Sequence, residues 1–253
     1  IAAGNSGQAL WVTDGTEQGT RPVRDIPTTA GLSHPLQGFW TLGDGKVVFW
    51  AYNAPLNRMW VTDGTAAGTQ VLLDFDGDPL HSQNHRPLLM PDGRLLVTMQ
   101  QGLWLTDGTA AGTQMLADLH AANWHFNGGF VFLPDGRLLF RATDHAANTG
   151  AELHVTDGTA AGTALVRDIR AGSHDGNPAN LTLLPDGRVL FTARTAAEGT
   201  EIWVTDGTSA GTALLRDIRP GNAGSQGDFA PLTFTILPHG RALFRADDGV
   251  HGV

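Results

Sequence analysis

A seven-residue motif, D-G-T-x-x-G-T, recurs five times in this 253-residue chain, with aspartates at Asp14, Asp63, Asp107, Asp157 and Asp206. The spacings are 49, 44, 50 and 49 residues. A period of about 40 to 50 residues is the length of a four-stranded propeller blade, whereas ankyrin and leucine-rich arrays run shorter and carry helical patterns missing here. The apolar content of 41% against 16% charged residues supplies a core for one domain of this size, residues 1–253.

Each period contains four strand signals, A to D. From Leu181 to Ile218 they read LTLL, a Pro185-Asp186-Gly187 turn, RVLFTA, a loop, EIWVT, a DGTSAGT turn and ALLRDI. In the first turn proline sets φ, aspartate bonds its own backbone and glycine takes a positive φ. It recurs at Asp92 and Asp135 and, as Pro238-His239-Gly240, in the last copy. The D-G-T-x-x-G-T turn uses one aspartate, two glycines and threonine hydroxyls in the same way. The chain opens with strands C and D (Ala9 to Thr13, Thr20 to Ile26) and finishes with A and B (Leu232 to Leu237, Arg241 to Ala246). The expectation is therefore an all-β, five-bladed β-propeller with four antiparallel strands per blade, closed by pairing the N-terminal C–D strands with the C-terminal A–B strands. Two chains exchanging half-blades would satisfy the same pattern, so both a monomer and a half-blade-swapped dimer are expected forms.

The repeat [EQ]-x-[LI]-W-V-T-D-G-T-x-A-G-T, followed by a strand ending R-D-I, resembles the ELWVTDGTxxGT tandem repeats of secreted or surface bacterial proteins. AEGTEIWVTDGTSAGTALLRDIRPG and RADDGVHG carry the likeness most closely, and it extends over the whole chain. The resemblance implies a repeat propeller in a bacterial, secreted or cell-surface setting, and no defined activity. The expectation is a mature secreted chain, with no signal peptide seen because the sequence begins after a cleaved one.

Composition narrows the partners. One lysine, Lys46, and fifteen arginines in a chain of net charge −9 leave no basic stripe for phosphates, so nucleic acid is not expected. No apolar run reaches the ~20 residues of a membrane span, and zero cysteines exclude disulfides and thiolate metal sites.

The two turns of each blade lie on one face and the B–C and D–A connections on the other. The turns are nearly invariant among the copies, while the D–A loops (Pro27 to Gly38, Asp76 to Arg86, His120 to Gly129, Arg170 to Asn180, Arg219 to Ala230) vary. Binding residues belong on such loops. The last two are plain glycine, asparagine and serine connectors. The first three introduce His34, Trp40, His81, His85, His120, Trp124 and His125, with Tyr52 from a neighbouring B–C loop. Together with His174 and Asp175 these are the expected ligand residues of one asymmetric pocket, with imidazoles and carboxylates bonding hydroxyls and aromatic faces stacking on sugar rings.

Three functional readings follow. The first is a lectin-like, carbohydrate-binding module. The second is a hydrolase or lyase using His34, His85, His120 or His125 as base, with a divalent metal on His85, His120 and His125 as a possible cofactor. The third is a structural surface module. Among repeated residues, Trp11, Trp60, Trp104, His154 and Trp203 are read as packing between blades, and Asp25, Asp74, Asp118, Asp168 and Asp217 as caps of the loop backbone. Glu152 and Glu201 are repeat equivalents opening strand C, and no carboxylate pair is nominated by spacing.

Overall fold

A computed structural model describes residues 8–28, 36–51, 56–76, 87–99, 102–120, 129–144, 147–225 and 233–251. The chain forms two compact units, Ile1–Gln100 with Trp104–Met115, and Gln101–Leu103 with Leu116–Val253. The described residues are all-β apart from one 3₁₀ turn, and no helix among them is long and apolar enough to cross a membrane.

The first sheet pairs β1 (Gln8–Val12) with β2 (Arg21–Ile26). The second has the order β3 (Leu36–Thr41), β4 (Val47–Ala51), β5 (Leu56–Thr62), β6 (Gln70–Asp76). The third runs β7 (Leu88–Leu89), β8 (Leu95–Met99), β9 (Gly102–Thr106), β10 (Gln114–Ala117). In the fourth, β11 (Leu119–His120) and β12 (Phe130–Phe132) both pair with β13 (Leu138–Asp144), which continues to β14 (Ala151–Thr156) and β15 (Ala164–Arg167). The fifth is β16 (Ala179–Leu183), β17 (Val189–Thr195), β18 (Gly199–Thr205), β19 (Ala213–Arg216), and the last pairs β20 (Thr235–Ile236) with β21 (Ala242–Leu243). The expected A-B-C-D meander is thus the observed order of the four complete sheets, with β11 as an added strand on the fourth. Among the described residues, β1 pairs only with β2 and β21 only with β20.

The turns fold as their residues require. Asp63 Oδ1 accepts the N–H and hydroxyl of Thr65 at 2.8 and 2.7 Å. The Thr65 hydroxyl accepts the Gly68 N–H, and the hydroxyls of Thr62 and Thr69 close the hairpin at 2.7 Å. Gly68 permits this because a Cβ there would stand 2.1 Å from Asp63 Oδ1. The same set of bonds recurs at Asp14, Asp107, Asp157 and Asp206. In the A–B turns, Asp135 Oδ1 accepts the Arg137 N–H at 3.0 Å while its other oxygen pairs with the guanidinium.

Within each unit the core lies between consecutive sheets. In the first unit, Leu10, Val23 and Ile26 of the first sheet pack against Phe49, Ala51 and Trp60 of the second. In the other unit, Leu139, Leu153 and Val166 of the fourth meet Val189, Phe191 and Trp203 of the fifth. Strand B sets a phenylalanine beside the strand-C ring, in the cross-strand pairs Phe49–Trp60, Phe140–His154 and Phe191–Trp203. The packing expected of Trp60, His154 and Trp203 is what their burial gives. Trp11 departs from it, being 60% exposed, because β1 has no strand-B neighbour among the described residues.

Candidate functional site

The turn face is occupied by its own hydrogen bonds, each motif aspartate being committed to the threonine two residues on. The threonine hydroxyl, first among the causes, holds Asp14, Asp63, Asp107 and Asp206 below the ordinary carboxylate value. These carboxylates stabilise turns and offer little basicity for chemistry.

On the opposite face, the described D–A loops are held by two buried glutamates. Glu152 in β14 is fully buried. Its Oε1 accepts the N–H groups of Arg170 and Gly176 at 3.1 and 2.8 Å, and its Oε2 accepts that of Ile169 at 3.2 Å. Gly176 is required by this approach, since a Cβ would stand 2.5 Å from both carboxylate oxygens. Burial pushes the Glu152 carboxyl up to about 7, outweighing the three N–H donors that favour the anion. Glu201 does the same work one repeat later, accepting the Arg219 N–H at 3.2 Å and the Ser225 hydroxyl at 2.5 Å. Each loop is also stitched onward, the first through Arg194 N–H of β17 to Gly176 O and the second through Asp247 N–H, four residues after β21, to Ser225 O.

The cap role expected of the strand-D aspartates is fulfilled by Asp168, whose Oδ2 accepts the Gly172 N–H. Asp74 instead pairs with Arg58 at 2.8 Å, and Asp217 Oδ1 is buried without a partner. The main anchors are therefore glutamates, whose longer side chains reach from strand C under the loop. They were visible as repeat equivalents, but their acceptor role is with residues 17 to 24 positions downstream.

Of the expected ligand residues, the structure places His174 and Asp175 together on the anchored loop after β15. His174 is exposed, and Asp175 Oδ1 accepts the Ala151 N–H at 2.8 Å. Trp40 lies in β3, half-buried, with its ring 6.0 Å from Trp50 and packed on the core of the second and third sheets. His120 ends β11, opposite Thr143. His34, Tyr52, His81, His85, Trp124 and His125 lie outside the described residues. Among the described residues, no three His, Cys, Asp or Glu side chains come together as a metal site.

A cleft of about 300 Å³, which no pattern in the letters signals, lies in the first unit between the first two sheets, lined by Trp11, Val12, Val23, Phe39, Val47 and Gly64. Its walls are mostly apolar, with Thr62 and Asp63 as the polar residues, and both aromatic residues are more than half exposed. It lies at the edge of β1, which among the described residues pairs only with β2.

No family model matches the chain, and no curated protein matches it. Among solved structures it is similar to a puromycin-hydrolyzing peptidase of Mycobacterium tuberculosis, at 14% identity and a TM-score of 0.43, over 89% of this chain and 35% of that one. It is similar to virginiamycin B lyase from Staphylococcus aureus, at 14% identity and 0.40, over 96% and 78%. It is also similar to a gluconolactonase of Xanthomonas campestris, at 13% and 0.40, over 83% and 69%. The chain spans about a third of the peptidase's length. Likeness at these scores carries no argument about this chain's chemistry.

Proposed function

We propose that this chain is a secreted or cell-surface, glycan-binding propeller with a single asymmetric pocket formed by the D–A loops of its first three repeats. The observation that supports it is the division among repeats made by the buried glutamates. Glu152 and Glu201 tie down the last two loops from within, leaving them as scaffold. The corresponding positions in the first three repeats hold Ala9, Arg58 and Gly102, none of which can accept loop N–H groups through a side chain. These three repeats are also the ones whose loops carry His34, His81, His85, Trp124 and His125. A binding site departs from the repeat where the repeat's own anchor is dropped.

The finer architecture belongs to the same proposal. Five blades surround one axis, four complete and one composite, with β1–β2 supplying its C and D strands and a β20–β21 hairpin its A and B strands.

A glycan array probed with the full chain tests the function. Binding to a defined glycan class, lost in Trp124→Ala and His85→Ala with the melting temperature unchanged, is the expected result. No binding across the array overturns it. Stoichiometric zinc or copper, lost in His85→Ala or His125→Ala, would replace it with the hydrolase or lyase reading.

A further inference from the structure

The glutamate-anchored loops after β15 and β19 are copies of one design, and they differ in the charge that their arginine meets. After β19, the Arg219 N–H is held by Glu201 Oε1 at 3.2 Å, and its guanidinium donates Nη1 to Asp247 Oδ2 at 2.5 Å. After β15, the equivalent Arg170 is held in the same way, its N–H standing 3.1 Å from Glu152 Oε1. The residue in the place of Asp247 is Arg194. Each lies nine positions beyond the proline of its A–B turn, Pro185 for Arg194 and Pro238 for Asp247. Each also sends its own N–H to a carbonyl of the anchored loop, Arg194 to Gly176 O at 2.7 Å and Asp247 to Ser225 O at 2.8 Å. The backbone at both ends of the Arg219–Asp247 ion pair is therefore reproduced in the fourth repeat, with an arginine where the carboxylate belongs.

Two guanidinium groups are left there without a counter-charge. Arg194 is exposed, and its side chain has no hydrogen bond or ion pair among the described residues. Arg170 uses one of its five N–H donors, Nη1 to Asp175 O at 3.4 Å, and its Nε is buried without a partner. Leaving the donors of a charged group unmade is costly. The acidic side chains of the same loops are held by other groups: Asp175 Oδ1 by the Ala151 N–H with Arg141 as its charged neighbour, Asp168 by the Gly172 N–H, Glu152 by three main-chain N–H groups and Glu198 by the Thr195 hydroxyl. In a chain of net charge −9, two arginines thus stand at the two ends of what the next repeat makes an ion pair.

We infer that Arg170 and Arg194 bind the carboxylate of a small organic acid, in the place that the Asp247 carboxylate takes beside Arg219. A carboxylate has one oxygen for each guanidinium, and charge-assisted bonds of this kind are the strong ones. The exposed Arg194 gives access from solvent, while Arg170, fixed at its own N–H by Glu152, supplies a positioned donor. Simple acids and sugar acids share this chemistry, and a neutral sugar lacks it. All of these residues belong to the second unit, and the site is independent of glycan binding by the first three repeats.

Isothermal titration of the full chain at low ionic strength with acetate and with glucuronate tests the inference, with uncharged glucose as competitor. Binding of an acid that glucose does not displace is expected. Equal binding of the two acids identifies the carboxylate alone as the determinant, and binding of glucuronate only identifies a sugar acid. Arg170→Gln and Arg194→Gln are each expected to raise the Kd at least about ten-fold. Arg194→Asp, which rebuilds the Arg219–Asp247 pair inside the fourth repeat, is expected to abolish binding while the melting temperature holds or rises. Binding of neither acid, displacement by glucose, or a Kd unchanged in these three variants overturns the inference.

Discussion

Raising the pH should weaken this fold through Glu152, and replacing that residue by glutamine should remove the effect. Burial lifts the carboxyl from 4.5 to about 7 in the native chain. The native state is therefore the better proton binder between those two values. The stabilisation that follows is complete below the unfolded value and is lost as the pH rises through about 7. At about 1.4 kcal/mol per pH unit, the gap is worth about 3 kcal/mol. Urea unfolding of wild type and Glu152→Gln at several pH values from about 5 to about 9 measures it. Glutamine sets an amide donor against loop N–H groups, a pH-independent cost of about 1–3 kcal/mol. The stability advantage of wild type over the variant should then shrink by about 3 kcal/mol from the acid to the alkaline end. His154, held below its ordinary value first by burial, and His251, raised first by its bond to Asp248, are present in both chains and drop out of the difference. A difference that stays constant across the range within about 0.5 kcal/mol would refute the assignment of the proton to this buried carboxyl.

Two further outcomes follow from packing and from the turns. Trp203→Ala, which removes a ring held by Phe191 and Arg167, should cost about 3–5 kcal/mol in urea unfolding. Acid should attack the D-G-T-x-x-G-T turns: their aspartates lie below 3.8 because the threonine hydroxyl bonds the anion, so their contribution is present above that value and lost as the pH falls below it. Amide exchange at Thr208, which donates to Asp206 Oδ1, should accelerate on acidification relative to amides of β18, and Asp206→Asn should abolish that extra pH dependence.

What could be read from the sequence was what is local. The Asp63 turn closes within seven residues, and every partner it needs is in the motif, so its structure was readable from the letters. The strand order within each complete sheet followed from the same punctuation. The loop anchors were not readable, because Glu152 meets N–H groups 17 to 24 residues away and nothing local distinguishes it from a surface glutamate opening a strand. The candidate pocket was read from loop composition, and of its residues the described ones show why composition alone misleads: Trp40 packs into a core, while Asp175 is engaged by the Ala151 N–H of β14.

Trp11 and Trp203 make the physical reason explicit. They occupy equivalent positions in equivalent motifs, LWVTDGT and IWVTDGT, yet one ring is 60% exposed and the other 6%. The difference lies in neighbours: Phe191 on the adjacent strand and Arg167 on the preceding sheet cover Trp203. A repeat encodes its faces, but burial of a face is a property of the pair, and a repeat at an open edge exposes the surface that its internal copies hide. The same motif therefore serves as core where a neighbouring strand and a guanidinium cover its ring, as at Trp203, and stands exposed at Trp11, where the described residues supply neither.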